Sequence, residues 1–108
     1  MTAVNMLLAT ISFRAQPHKR SELLSAVDDI VEHMRQAAGS GRCRLLVDTE
    51  DPNSFTLISE WQLPHDADAF FESREFQIFK GTRILLREEA VLVRDEVVSR
   101  VTSLIRGR

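Results

Sequence analysis

Cysteine is almost missing from this chain: Cys43 is the only one among 108 residues. A lone thiol builds neither a disulfide framework nor a Cys-rich zinc signature, so a reducing, cytoplasmic compartment is expected. Charge of one sign is missing too. Fourteen Lys and Arg face sixteen Asp and Glu, a formal net charge of -2, and a general nucleic-acid binder would show a basic excess to collect phosphates. Arg100, Arg106 and Arg108 gather at the C-terminus, where a solvated tail is expected. No long apolar run exists: the stretch Met1 to Phe13 lacks the positive n-region and the length of a signal peptide or membrane span. Neither membrane nor nucleic acid is an expected partner.

The familiar chemical motifs are absent as well. There is no Gly-rich phosphate loop, no Cys-x-x-Cys, no His-Glu-x-x-His and no Gly-x-Ser-x-Gly. His18, His33 and His65 lie far apart, which gives a metal cluster or a His general base little support. His33 sits among charges and reads as a solvated surface residue. No metal and no cofactor is expected. A composition of 44% hydrophobic and 28% charged residues is that of a globular protein, and the length suits one domain over 1–108.

What the chain does have is an aromatic stretch. Residues Ser54 to Phe79 hold Trp61, the only tryptophan, and five of the six phenylalanines. Phe55, Leu57, Ser59 and Trp61 alternate with Thr56, Ile58, Glu60 and Gln62, so a strand here places Phe55 and Trp61 on one face and Glu60 on the other. Pro64 ends that strand, and Asp66 is expected to cap a short helix whose Phe70, Phe71, Phe76 and Phe79 share one side. The six aromatics of this stretch are most simply the core of a small domain. The sharper reading is an apolar pocket lined by Trp61, Phe70, Phe71, Phe76 and Phe79.

Around this stretch the remaining elements fall into order. Asn5 to Phe13 reads as a strand with Leu7, Ala9, Ile11 and Phe13 on one face and Met6, Leu8, Thr10 and Ser12 on the other. Both faces look partly buried, which asks for a second covering layer. From Lys19 to Ala38, Leu23, Leu24, Val27, Ile30, Val31 and Met34 recur at helical spacing, and Gly39-Ser40-Gly41 supplies the stop. Arg42 to Asp48 is a strand, and Thr49 to Asn53 an acidic turn that reads as solvated rather than as a cation site. Lys80-Gly81-Thr82-Arg83 bends or ends the second helix, and a last strand covers roughly Glu89 to Val98. The core then runs over about 5–98, with 99–108 as a C-terminal arm whose Val101, Leu104 and Ile105 suit a partner. The fold class is α+β: a ferredoxin-like βαββαβ order, an antiparallel sheet with its helices on one face.

The run Phe55-Thr-Leu-Ile-Ser-Glu-Trp61, a short helix and Ser73-Arg-Glu-Phe76, preceded by the turn Asp51-Pro52-Asn53, resembles the antibiotic biosynthesis monooxygenase family over Leu7 to Val98. The resemblance implies a dimeric α+β barrel, a homodimer whose sheets face each other, with a pocket between each sheet and its helices. It also implies a monooxygenase that needs neither metal nor flavin and acts on a small aromatic or quinol-type molecule. Trp61 would position the ring and Arg83 would hold a phenolate, since a guanidinium keeps its charge at any working pH. Leu57 stands where members acting on polycyclic phenols carry Asn, which marks it as substrate-binding. Glu75 stands where many members carry His, and Lys80 where the haem-degrading branch does, so haem is not an expected ligand. The rival expectation is a non-catalytic small-ligand-binding or interaction domain built on the same barrel.

Overall fold

In the computed structural model the residues described are 2–107, with backbone alone for 2–5. Met1 and Arg108, the ends of the expected chain and arm, lie outside the described residues. Strand β1 (Thr2–Arg14) pairs antiparallel with β3 (Ser54–Trp61) on one side and β4 (Val91–Arg100) on the other, and β2 (Ser40–Val47) borders β3. The order β2-β3-β1-β4 is that of a ferredoxin-like sheet, as the element sequence implies. Strict alternation in β3 is met residue for residue: Phe55, Leu57, Ser59 and Trp61 are buried, and the residues between them are half-buried.

Helix α1 (Arg20–Gln36) covers this face with Leu23, Val27, Ile30, Val31 and Met34. Behind it Cys43 is buried and its Sγ donates to the Met34 Sδ at 3.2 Å. Desolvation pushes the Cys43 thiol above its ordinary value, with the nearby Arg35 pulling the other way. The native state therefore holds this proton longer than the unfolded chain does. Its contribution to stability is complete below the unfolded pKa and is lost as pH rises through the folded one.

The stop after α1 rests on one residue. Gly39 has φ +78°, and a Cβ built there would meet the Asp66 side chain at 2.1 Å, its nearest atom. Its carbonyl also accepts the Gln62 backbone N–H at 2.8 Å, so this turn ties the end of α1 to the end of β3. Gly39→Ala is expected to lose at least about 1–2 kcal/mol from the left-handed backbone alone. Chemical denaturation reads the loss, and Ser40→Ala serves as the comparison.

The second helical region differs from expectation. It is two helices, α2 (Pro64–Phe71) and α3 (Arg74–Lys80), followed by a 3₁₀ turn over Gly81–Leu85. Pro64 occupies the first helical position behind Leu63, so Asp66 lies inside the first turn and caps nothing. The break comes from Ser73, whose Oγ accepts the Phe76 N–H at 3.3 Å and starts α3 afresh. The Ser-x-x-Phe spacing is thus a helix cap that fixes where Phe76 points.

The last strand begins at Val91 rather than Glu89 and runs to Arg100 rather than Val98. The segment before it is drawn into other bonds. Ala15 bridges Leu86, the Arg87 N–H donates to the Arg14 carbonyl at 2.8 Å, and the Gln16 Nε2 donates to the Ile84 carbonyl at 2.8 Å. These pin residues 84–87 to the end of β1, and Glu88 to Ala90 are left to cross over to β4.

Register divides the sheet into two faces. Ile11 pairs with Leu57 and Leu92, and this row lies under the helices; Thr10 pairs with Ile58 and Val93, and this row faces away. With it go Met6, Leu8, Leu46, Val91 and Val97, among which Val91 is 57% and Val93 47% exposed. The covering layer that the sequence asks for is not supplied by the described residues. Val101, Leu104 and Ile105 of the expected arm are likewise exposed and outside any strand or helix.

Candidate functional site

Between the helix-covered face and the α3–3₁₀ segment lies a cleft of about 510 Å³, within the range of small-molecule sites. Each wall comes from a different element. Ile11 and Phe13 of β1, Leu23 of α1 and Leu92 of β4 make an apolar floor, and Phe76 and Phe79 of α3 make one side. The rim is charged: Lys80 and Arg83 stand on the α3–3₁₀ side, Glu88 and Glu89 on the crossover to β4. The cleft exists because residues 84–87 are pinned to the end of β1, which holds the crossover away from α3. An apolar ring fits its interior, and oxygen functions fit its rim.

Of the residues singled out from sequence, Phe76, Phe79 and Arg83 line this cleft. Trp61, Leu57, Phe70 and Phe71 are buried in the core and do not line it. Trp61 is 1% exposed, its ring centroid 5.4 Å from Phe70 and 6.0 Å from Phe71. Phe71 meets Phe76 edge-on at 4.9 Å, and Phe76 meets Phe79 at 5.8 Å. The rings form a chain from Trp61 to the cleft wall, so Trp61 touches the site through its neighbours. Its Nε1–H donates to the Ser59 Oγ at 3.0 Å, which leaves no indole proton to offer a ligand.

Sequence reasoning overlooked Glu88 and Glu89, the second of which read as the start of a strand. Charged residues directly before the apolar run Ala90-Val91-Leu92-Val93 were the available signal. Glu88 Oε1 lies 3.5 Å from Arg14 Nε, which also reaches Asp51 at 3.4 Å. Among the described residues, Lys80, Arg83 and Glu89 have no salt-bridge partner. Deeper along α2, Arg94 pairs with Asp68 and lies 5.1 Å from the centre of the Phe71 ring, tying β4 to the helix layer.

A second, shallower depression of about 350 Å³ is lined by His33, Asp66, Ser73 and Glu75 among others. His33 is exposed and its Nδ1 lies 2.9 Å from the Asp29 carbonyl. In the acidic hairpin turn, Asp48 Oδ1 accepts the N–H groups of Glu50 and Asp51, and Asp51 Oδ1 that of Asn53. Those carboxylates serve the turn's own backbone. Among the described residues no group of three or more His, Cys, Asp or Glu side chains is placed to hold a metal ion, and no helix is long and apolar enough to cross a membrane.

Known proteins are similar to this chain in sequence or in fold. “Putative monooxygenase YcnE” of Bacillus subtilis (strain 168) is 27% identical over 82 residues, covering 74% of this chain and 86% of its own. The structure of Rv0793 from Mycobacterium tuberculosis superposes with a TM-score of 0.82 at 14% identity, covering 90% of this chain and 99% of that one. A conserved protein from Methanosarcina mazei Go1 gives 0.80 at 18% identity, covering 85% and 92%. Identities this low establish the fold alone. The family itself is carried by sequence: the model of the antibiotic biosynthesis monooxygenases matches residues 6–81, from β1 through Trp61 and the Ser73 cap to the end of α3, and the chain therefore belongs to that family.

Proposed function

We propose that the protein is a cofactor-independent monooxygenase that oxygenates a small hydroxyaromatic molecule of the quinol or anthrone type in the cleft beside α3. The observation that carries this reading is the pairing of an apolar interior, Ile11, Phe13, Phe76 and Phe79, with an Arg83 that has no carboxylate partner among the described residues. For an anthrone, which reacts as the enol with one ring C–H in conjugation with the hydroxyl, the net reaction written from the keto form is R₂CH₂ + O₂ → R₂C=O + H₂O, in which the carbon supplies all four electrons. Such a substrate must first lose a proton, and Arg83 faces the negative charge that appears on its oxygen. Family membership and the absence of any nucleotide-binding loop in the sequence support the view that the substrate supplies the reducing equivalents.

Each residue then has a distinct place. Phe76 and Phe79 hold the ring, Arg83 stabilises the aryloxide, and Phe70 and Phe71, themselves packed on Trp61, position Phe76 from behind. The working unit is a homodimer in the cytoplasm. Its support is the far face of the sheet, where exposed apolar residues such as Val91 and Val93 lie beside Glu60, Asp95 and Arg100, a mixed surface that a second copy related by a two-fold axis would cover.

Oxygen uptake with a panel of reduced quinols and anthrones, in the presence of chelator, tests the reading. Wild-type protein should consume oxygen above the buffer rate, and Arg83→Ala should be slower by about a hundredfold, the usual cost of losing one oxyanion donor. Uptake no faster than buffer, or uptake only with added metal or flavin, would replace this function with that of a non-catalytic ligand-binding domain.

A further inference from the structure

Deprotonation of the substrate needs an acceptor, and the cleft offers one. Four groups on its rim are ionisable: Lys80, Arg83, Glu88 and Glu89. Lys80 and Arg83 are cations at neutral pH and cannot take a proton. Glu88 lies against Arg14, a cation it shares with Asp51. No histidine lines the cleft, and the Trp61 indole donates to Ser59. Among the described residues, Glu89 alone combines a carboxylate without an ion-pair partner with a place on the rim.

We propose that Glu89 is the general base of this cleft, taking the hydroxyl proton of a substrate whose oxygen then faces Arg83. The inference rests on the oxygenase reading above. The O–H bond breaks, the proton moves to the Glu89 carboxylate, and the electron pair remains on the aryloxide beside Arg83 and Lys80. Conjugation carries that pair to the ring carbon, which forms a C–O bond with dioxygen, and Glu89 returns the proton to the distal oxygen to give the substrate hydroperoxide. In the last step Glu89 takes the remaining C–H proton, the O–O bond breaks, and hydroxide leaves with that proton as water. The carboxylate ends as it began.

The polarised rim also defines the substrate. Carboxylates on one side and cations on the other favour a ring that donates a hydroxyl toward Glu89 and can carry negative charge toward Arg83. A purely apolar aromatic leaves both sides unanswered.

Glu89 is exposed on the crossover and makes no bond to the fold among the described residues, so Glu89→Gln should melt with the wild type. With a substrate that the wild type oxygenates, Glu89→Gln should lose about 10²–10⁴ in kcat at neutral pH, the range for general-base catalysis, with little change in KM. Activity should return as pH rises toward about 10, where a phenolic hydroxyl ionises unaided. The charges that share the rim with Glu89 are Lys80 of α3, Arg83 of the 3₁₀ turn and the neighbouring Glu88 with its Arg14. An active wild type with an unimpaired Glu89→Gln, or a loss that alkaline pH does not rescue, overturns the base. A wild type inert toward every hydroxyaromatic fails at the earlier step and overturns the oxygenase reading on which the base rests.

Discussion

Trp61→Ala should unfold the protein at a temperature on the order of 15 °C or more below the wild type, a loss of about 3–5 kcal/mol. Several terms add in the same direction. The side chain is 1% exposed and packed on Phe70 and Phe71, so its removal opens a large cavity among rings that lose their stacking partner. The Ser59 hydroxyl, 2% exposed, also loses the indole donor it accepts. A loss of this size is a large part of the 5–15 kcal/mol typical of a whole fold. Trp61→Phe keeps most of the packing and should fold, losing about 1–2 kcal/mol with the hydrogen bond and the smaller ring. Thermal and denaturant melts of the two variants measure both losses. If Trp61→Ala costs less than about 1 kcal/mol, the ring chain from Trp61 to Phe76 is not the packed unit described.

The second large effect concerns assembly. Light scattering behind size exclusion should give a dimer at micromolar concentration for the wild type and a monomer for the double variant Ile58→Glu with Val93→Glu. Both positions lie in the Thr10 row on the sheet face away from the helices. Ile58 is paired with Arg44 across β2, so one new carboxylate has a counter-charge within the subunit, and Val93 is 47% exposed. The isolated subunit should tolerate both. Across a two-fold interface, four added carboxylates would meet without water, and like-charge juxtaposition costs several kcal/mol. A wild-type monomer would remove the proposed assembly, and a dimeric double variant would move it to another face.

How much of this was legible in the chain follows from the range of the forces involved. The β3 alternation and the α1 spacing are local periodicities, and burial on the helix-facing side followed from them. Sheet order followed from the succession of elements and short connections. Lys80 to Arg83 ends the helix as expected, but the start of the last strand was misread because long-range bonds shape the segment before it: the Gln16 side chain and the Arg14 carbonyl, from the other end of the chain, hold residues 84–87. That same misreading hid the cleft, whose floor joins Ile11, Leu23 and Leu92 from three distant elements. Alternation placed Trp61 and the Phe residues on one face and could not give their depth. Phe76 reaches the cleft and Trp61 does not because Ser73 restarts the helix between them.

The location of chemistry in the cleft can be tested by filling it from its exposed edge. Ala90 lines the cleft on the crossover and belongs neither to the core nor to the aryloxide contacts. Ala90→Trp should occupy the space of a substrate ring while leaving the melting temperature within a few degrees of wild type. Oxygen uptake with the best quinol or anthrone should then fall at least tenfold, with no recovery at alkaline pH. Unchanged uptake by a folded Ala90→Trp would contradict the assignment and place the reaction elsewhere in the molecule.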